Sequence, residues 1–282
     1  MIKRNLTIKC SIEERKQFEV FQKQNDFKVN SSFATRREIN TELKSTFFNV
    51  PEQHYMDDPT NLTDIKLYDR RVLVIGDLHS PFDLNGYLEH CIDMYFKWKC
   101  DTVVFIGDIL DNHYASYHET DPNGFGGQQE LDRAISRIKP WFEAFPKAYV
   151  TIGNHDRLIM RKAVTSNVPR QWIRTYKSVL ETPTWVFCEE LEIDNVLYIH
   201  GEGGQAKGKA KNNLQSTVQG HLHSQAYIEW YVGTNTKIFG MQVGCGVDIK
   251  SYAMAYGKNF KKPIISCGAI TNGNPYLELM QL

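Results

Sequence analysis

Five short polar clusters interrupt the apolar runs in the middle of the chain, and each is built from residues that bind cations. They are Gly76-Asp77-Leu78-His79, Gly107-Asp108-Ile109-Leu110-Asp111, Gly153-Asn154-His155-Asp156, the lone His200, and Gly220-His221-Leu222-His223. Asp and His at alternating positions, as at 77 and 79, can point from a short turn toward a common centre. A carboxylate such as Asp108 can bridge two cations. Imidazoles and an amide oxygen such as that of Asn154 complete a mixed N/O set without thiolate. That set suits Mn, Fe, Zn or Ni better than Ca or Cu(I). Two such ions about 3.5–4 Å apart can hold a bridging hydroxide and clamp a phosphoryl group for in-line attack.

Each cluster ends a strand-like run: Val72–Ile75, Val103–Ile106, Ala148–Ile152, Val196–Ile199 and Thr217–Gln219. Helical patterns lie between, at Tyr87–Lys99 and Glu130–Phe145. Buried strands alternating with helices predict an α/β catalytic domain over residues 71–282. In open α/β sheets functional residues gather at the carboxyl ends of strands, so the five clusters can converge. Later runs (Tyr227–Val232, Lys237–Val243, Pro263–Ser266, Tyr276–Met280) have no crossover helices between them, which predicts a mixed sheet. Residues 1–50 read as a helical N-terminal extension. Ser11 and Glu14 form a capping box for one helix, and Ile39, Leu43 and Phe47 lie on one face of another. Residues 51–70 read as a connector.

Lys and Arg balance Asp and Glu at 33 each, a formal net charge of zero. That excludes a surface built throughout to hold nucleic acid but permits a local basic patch. The six cysteines form no CxxC pair, which favours free thiols in a reducing cytosol over disulfides or a zinc knuckle. No stretch approaches the ~18 apolar residues of a membrane span, and the first ten residues carry no signal-peptide pattern. A soluble, cytoplasmic protein is expected.

In their order the five clusters resemble the signature of the calcineurin-like metallophosphoesterases, of the stand-alone phosphoesterase or phosphodiesterase type. Polar residues that merely cap turns explain one or two such clusters, not five. The resemblance implies a two-layer mixed β-sandwich flanked by helices, hydrolysing phosphoesters with two divalent metal ions, Mn by the family's habit. It implies that one metal takes Asp77, His79, Asp108 and His223. The other takes Asp108, Asn154, His200 and His221, with Asp108 bridging. By the same resemblance His155 stabilises the transferring phosphoryl and protonates the leaving oxygen, and Asp111 orients His155.

One departure bears on substrate. The family's phosphoprotein phosphatases carry an arginine after the Asp111 position, whereas here Asn112 and His113 follow. Arg157, with Asn112 and His113, is then the candidate for contacting the substrate, although Arg157 reads equally as paired with a neighbouring acid. The expected substrate is a phosphodiester, in nucleic acid or a nucleotide derivative. A phosphomonoesterase is the alternative within enzymes. The alternative outside them is a nucleic-acid-binding protein that uses residues 1–50 and has secondary phosphoesterase activity. The N-terminal arm is expected to pack on the catalytic domain or a second subunit, so homo-oligomers are possible through it. His113 and His118 read equally as substrate contacts or solvated loop residues. Lys207, Lys209 and Lys211 read as a solvated loop, or as a basic loop steering a polyanion.

Overall fold

The computed structural model describes residues 62–65, 70–117, 123–251 and 262–282. The expectations for residues 1–50, for most of 51–70 and for His118 lie outside them.

Twelve strands form two six-stranded sheets. In the first, the order is β12 (Asn274–Leu279), β11 (Ser266–Thr271), β2 (Arg71–Ile75), β3 (Thr102–Phe105), β4 (Tyr149–Thr151) and β5 (Val186–Cys188). In the second it is β1 (Leu62–Ile65), β6 (Glu190–Ile193), β7 (Val196–Ile199), β8 (Ser216–Gln219), β10 (Lys237–Gln242) and β9 (Tyr227–Val232). Strands β2 to β5 run parallel, and β11 joins β2 antiparallel, so the sheet is mixed as expected. The second sheet is mixed too, with β7, β8 and β10 parallel.

The continuous apolar runs follow from burial on both faces of the first sheet. Val72, Val74, Val104 and Ile106 face the second sheet and meet Leu191, Tyr198, Val218, Phe239 and Met241. The alternate residues Leu73, Ile75, Val103 and Phe105 face the helix layer. There α1 (Tyr87–Lys97) supplies Tyr87 and Cys91, and α2 (Gly127–Ala144) supplies Ala134, Ile138 and Trp141. The Phe105 ring packs on Trp141 of α2 and on Trp185, just before β5, at centroid distances of 5.7 and 4.7 Å. Five cysteines are described, all free and buried. Among the described residues no helix is long and apolar enough to cross a membrane.

Three segments differ from the sequence reading. Strand β1 lies inside the stretch read as connector, pairing parallel with β6. The strand expected at 263–266 begins instead at Ser266, since Pro263 offers no N–H to a ladder. Its sequence SCGAIT is all small or β-branched because Met241 crowds it; a Cβ on Gly268 would lie 2.2 Å from the Met241 methyl carbon. The lysine run is no loop but helix α5 (Ala206–Asn213), with Ala206 and Ala210 buried. It lies so close on β10 that a Cβ on Gly240 would reach the Lys207 Cα at 2.6 Å.

Candidate metal centre

The five clusters do converge, because β2, β3 and β4 end beside one another and β7 and β8 end on the facing sheet. Backbone bonds tie these loops together, both within the first sheet and across to the second. Leu78 and His79 N–H both donate to the Asp108 carbonyl (3.1 and 2.8 Å), and Gly246 N–H donates to the Asp77 carbonyl (2.8 Å). The glycine opening each cluster is there for close approach. A Cβ on Gly153 would sit 2.0 Å from Asp108 Oδ1, and one on Gly220 2.3 Å from Asp77 Oδ1. Gly107 adds a left-handed φ of 94° with the His200 ring against its Cα.

Asp108 is at the centre. His155 N–H donates to its Oδ1 (2.8 Å), leaving Oδ2 facing His200 Nε2 at 3.1 Å and His79 Nε2 at 3.5 Å. His200 Nδ1–H is spent on the Ile106 carbonyl (3.0 Å), and His79 Nδ1–H on Asp111 Oδ1 (2.6 Å). Each bond fixes a tautomer whose Nε2 lone pair is turned inward, the usual orienting device for a ligating imidazole. Around His200 Nε2 also stand Asn154 Oδ1 (2.9 Å) and His221 Nδ1 (3.2 Å). On the other side His223 Nε2 lies 3.1 Å from Asp77 Oδ2.

These contacts between lone-pair atoms fit divalent cations. At a ligand distance of about 2.1 Å, the edge of an octahedron is about 3.0 Å and that of a tetrahedron about 3.4 Å. His79 Nε2 is moreover fully buried with no hydrogen-bond partner among the described residues, a state that a cation relieves. Asp77, His79 and His223 group at one position, and Asp108, His200 and His221 at a second, where Asn154 adds its oxygen. Asp108 groups with His79 as well, so its carboxylate can serve both positions.

The electrostatics agree. Asp108 is held well below the usual carboxylate range. Burial opposes that, but the imidazoles of His200, His155 and His79 outweigh it. His200 rises to about 10, again against burial, through Asp108 and Asp77. Burial and then His155 lower His79, while burial and then His200 lower His221. A cation replaces the protons such a cluster would otherwise share.

The family model described as Calcineurin-like phosphoesterase matches residues 70–236, over half of the chain. The chain belongs to the calcineurin-like phosphoesterase family. That family hydrolyses phosphoester bonds, and its two-sheet fold is the one described above. Among solved structures, Vacuolar Protein Sorting 29 from Cryptosporidium parvum is similar at 13% identity and a TM-score of 0.39. The match covers 77% of this chain and 99% of that one. The phosphoesterase Yfce from E. coli matches at 13% identity and a TM-score of 0.36, covering 72% and 88%. A metallophosphoesterase from Sphaerobacter thermophilus matches at 10% identity and 0.39, covering 76% and 88%. No curated protein matches.

Within this calcineurin-like site the remaining expected residues fall as follows. His155 stands at the mouth, its side chain one-fifth exposed, against 1–2% for His79 and Asp108. Its Nδ1–H donates to the Asp111 backbone carbonyl (2.7 Å), with the Asp111 carboxylate 3.5 Å away. Asp111 thus reaches His155 chiefly through its main chain and gives its carboxylate to His79, a departure from the expected carboxylate pairing. His155 is nonetheless raised; burial opposes, and Asp108 and Asp111 prevail. Asn112 is buried and turned away from solvent, donating from Nδ2 to the His155 carbonyl (3.0 Å). His113 is buried, with Nδ1 3.7 Å from Asp111 Oδ2. Of the two sequence readings of Arg157, phosphate contact or pairing with an acid, the structure has the second: its guanidinium is bound by Glu189 and Glu202 together and is no open phosphate clamp.

Four braces went unassigned in the sequence. Asp156 accepts from Leu110 N–H (3.0 Å) and Gly153 N–H (2.9 Å), locking the second and third clusters together. Tyr87 accepts from Gly76 N–H (3.0 Å) beneath the first. Glu130 accepts from His113 N–H (2.7 Å). Gln242 donates to the Gly220 carbonyl beneath the last. Only Asp156 carried a local signal, as the fourth residue of GNHD.

Proposed function

We propose that the chain is a divalent-metal phosphodiesterase acting on nucleic acid or a nucleotide derivative. In this reading Asp77, His79, Asp108 and His223 hold one ion, and Asp108, Asn154, His200 and His221 the other. Two ions, when bound, supply positive charge to the phosphoryl oxygens and acidify the attacking water. His155 then acts on the leaving side. With Nδ1–H committed to the Asp111 carbonyl, its Nε2 is the atom that carries a proton to the departing oxygen.

The observation that carries the diester is the pairing of Arg157. A terminal phosphate brings about two negative charges at pH 7, a diester one. A site that spends its neighbouring guanidinium on two protein carboxylates suits the substrate of lower charge.

The test is hydrolysis of bis-p-nitrophenyl phosphate beside p-nitrophenyl phosphate, after stripping metals and restoring Mn. The diester is expected to lead in kcat/KM by at least about tenfold, ~1.4 kcal/mol of transition-state discrimination. A monoester preference of that size would overturn the reading in favour of a phosphatase.

A further inference from the structure

The chain leaves the GNHD cluster on an excursion that returns to it. Leu158 N–H, opening α3 (Leu158–Thr165), donates to the His155 carbonyl (3.1 Å). Beyond a 3-10 turn at Arg170–Trp172, the Tyr176 hydroxyl of α4 (Tyr176–Val179) donates to the Asp156 carbonyl (3.1 Å). Residues 157–177 therefore hang from both ends on the loop that carries Asn154 and His155.

The composition of this excursion is one-sided. Arg157, Arg161, Lys162, Arg170, Arg174 and Lys177 are its charged residues, and no acid falls between 157 and 180, in a chain whose net charge is zero. Arg157 is neutralised from outside by Glu189 and Glu202, whereas Arg161, Arg174 and Lys177 are exposed. Trp172 is 82% exposed, and Tyr117, on the neighbouring loop, is 57% exposed with Arg161 and Lys162 at 5.2 and 5.4 Å from its ring centre. Exposed aromatic rings interleaved with cations are what single-stranded nucleic acid uses, because phosphates pair with the cations and unstacked bases lie on the rings.

We propose that residues 157–177, with Tyr117, form a binding surface for single-stranded nucleic acid at the rim of the metal centre, with Trp172 and Tyr117 as base-stacking platforms. The proposal rests on the diesterase reading for its biological sense, and its test separates the two. Binding of a fluorescein-labelled oligothymidylate is measured by anisotropy against salt, while the same samples are assayed with bis-p-nitrophenyl phosphate. The variants are Trp172→Ala and the triple Arg161→Ala/Arg174→Ala/Lys177→Ala. Their thermal unfolding is recorded first, and these exposed changes are expected to leave it unshifted.

Trp172→Ala should weaken oligonucleotide binding about ten- to hundred-fold. The triple variant should flatten the slope of log K against log salt by about 0.7 for each lost phosphate contact, close to 2 in all. Neither should alter hydrolysis of the small diester. Unchanged oligonucleotide binding in both variants overturns the surface even if the diester is cleaved. Loss of binding in a protein inert toward the diester upholds the surface and sinks the diesterase reading alone. Binding to anionic phosphatidylglycerol vesicles, with none to the oligonucleotide, also overturns the proposal.

Discussion

Gly153→Ala puts the geometry of the centre to its hardest test. The new methyl would stand 2.0 Å from Asp108 Oδ1 and 2.4 Å from the Asp108 amide nitrogen. Rotating the carboxylate aside cannot relieve the second contact, because it is backbone. The two clusters must therefore separate by at least about 1 Å, which overpacking places at roughly 1–3 kcal/mol. The His155 N–H to Asp108 bond lengthens as well, and a bond to a charged group contributes about 1.5–3 kcal/mol. Together a loss of roughly 2–5 kcal/mol lowers the melting temperature by roughly 5–15 °C without unfolding the chain at 25 °C. The same displacement moves Asp108 relative to both ligand groups, and an ångström of misplacement costs on the order of 10² in rate. Gly208→Ala is the control: it lies inside α5 with open space around its Cα, and should stabilise by up to about 1 kcal/mol. Melting curves, metal content by mass spectrometry and kcat/KM on bis-p-nitrophenyl phosphate read the outcome. A Gly153→Ala protein that holds two ions per chain at wild-type affinity and turnover would refute the convergence described here.

Three further predictions bear on individual residues. His155→Ala should lower turnover by ~10²–10⁴ and leave the metal content unchanged; parallel metal loss would make His155 a ligand. Arg157→Ala should change kcat/KM for the small diester by less than about threefold, since the pair it breaks lies between protein groups; a fall near a hundredfold would restore the phosphate clamp. Glu130→Gln tests a buried acid by pH. Burial, and after it Asp111, push the Glu130 carboxyl up to about 7 against the bond from His113 N–H. The folded protein then keeps a proton that the unfolded chain releases between about pH 4.5 and 7, so wild-type stability falls across that window. Glutamine retains the acceptor without the charge. The variant should match or trail wild type at pH 4.5 and exceed it by on the order of 2–3 kcal/mol at pH 8, read from urea midpoints. A difference that does not vary with pH would show that Glu130 carries no such penalty.

How much of this was legible depended on whether the signal was local. The ligand candidates were, because each falls within three residues of a glycine at the end of an apolar run, and the backbone geometry that needs the glycine also aims the ligand. The buried α/β sheet was legible because Val72–Ile75 and Val103–Ile106 are apolar at every position, as strands covered on both faces are; the two-layer sandwich came only from the family resemblance. The braces were not legible. Asp156 reaches back 46 residues to Leu110, and Glu130 reaches 17 to His113, across spans that no periodicity links. The pairing of Arg157 with Glu189 and Glu202, 32 and 45 residues away, had no sequence signature either. Strand β11 was misplaced because small residues packed under Met241 look like a loop.

Bonds between members of the centre explain its four left-handed residues. His79, Asp108, Asn112 and His221 all adopt left-handed φ values, between 47° and 68°, where non-glycine residues are each strained by about 1 kcal/mol or more. Such strain persists only where the surroundings over-determine the conformation. At His79 the determinants are its N–H bond to the Asp108 carbonyl and its ring bond to Asp111. At His221 the N–H is held by Asp77 Oδ2 at 2.9 Å. At Asp108 they are the two N–H groups on its carbonyl and the His155 N–H on its carboxylate. At Asn112 it is the side-chain bond to the His155 carbonyl. Every strained residue is thus restrained by another member of the same centre. The centre is therefore a mutually locked set of loops, and loosening any one of them is expected to disturb the ligands on the others before it disturbs the sheets beneath.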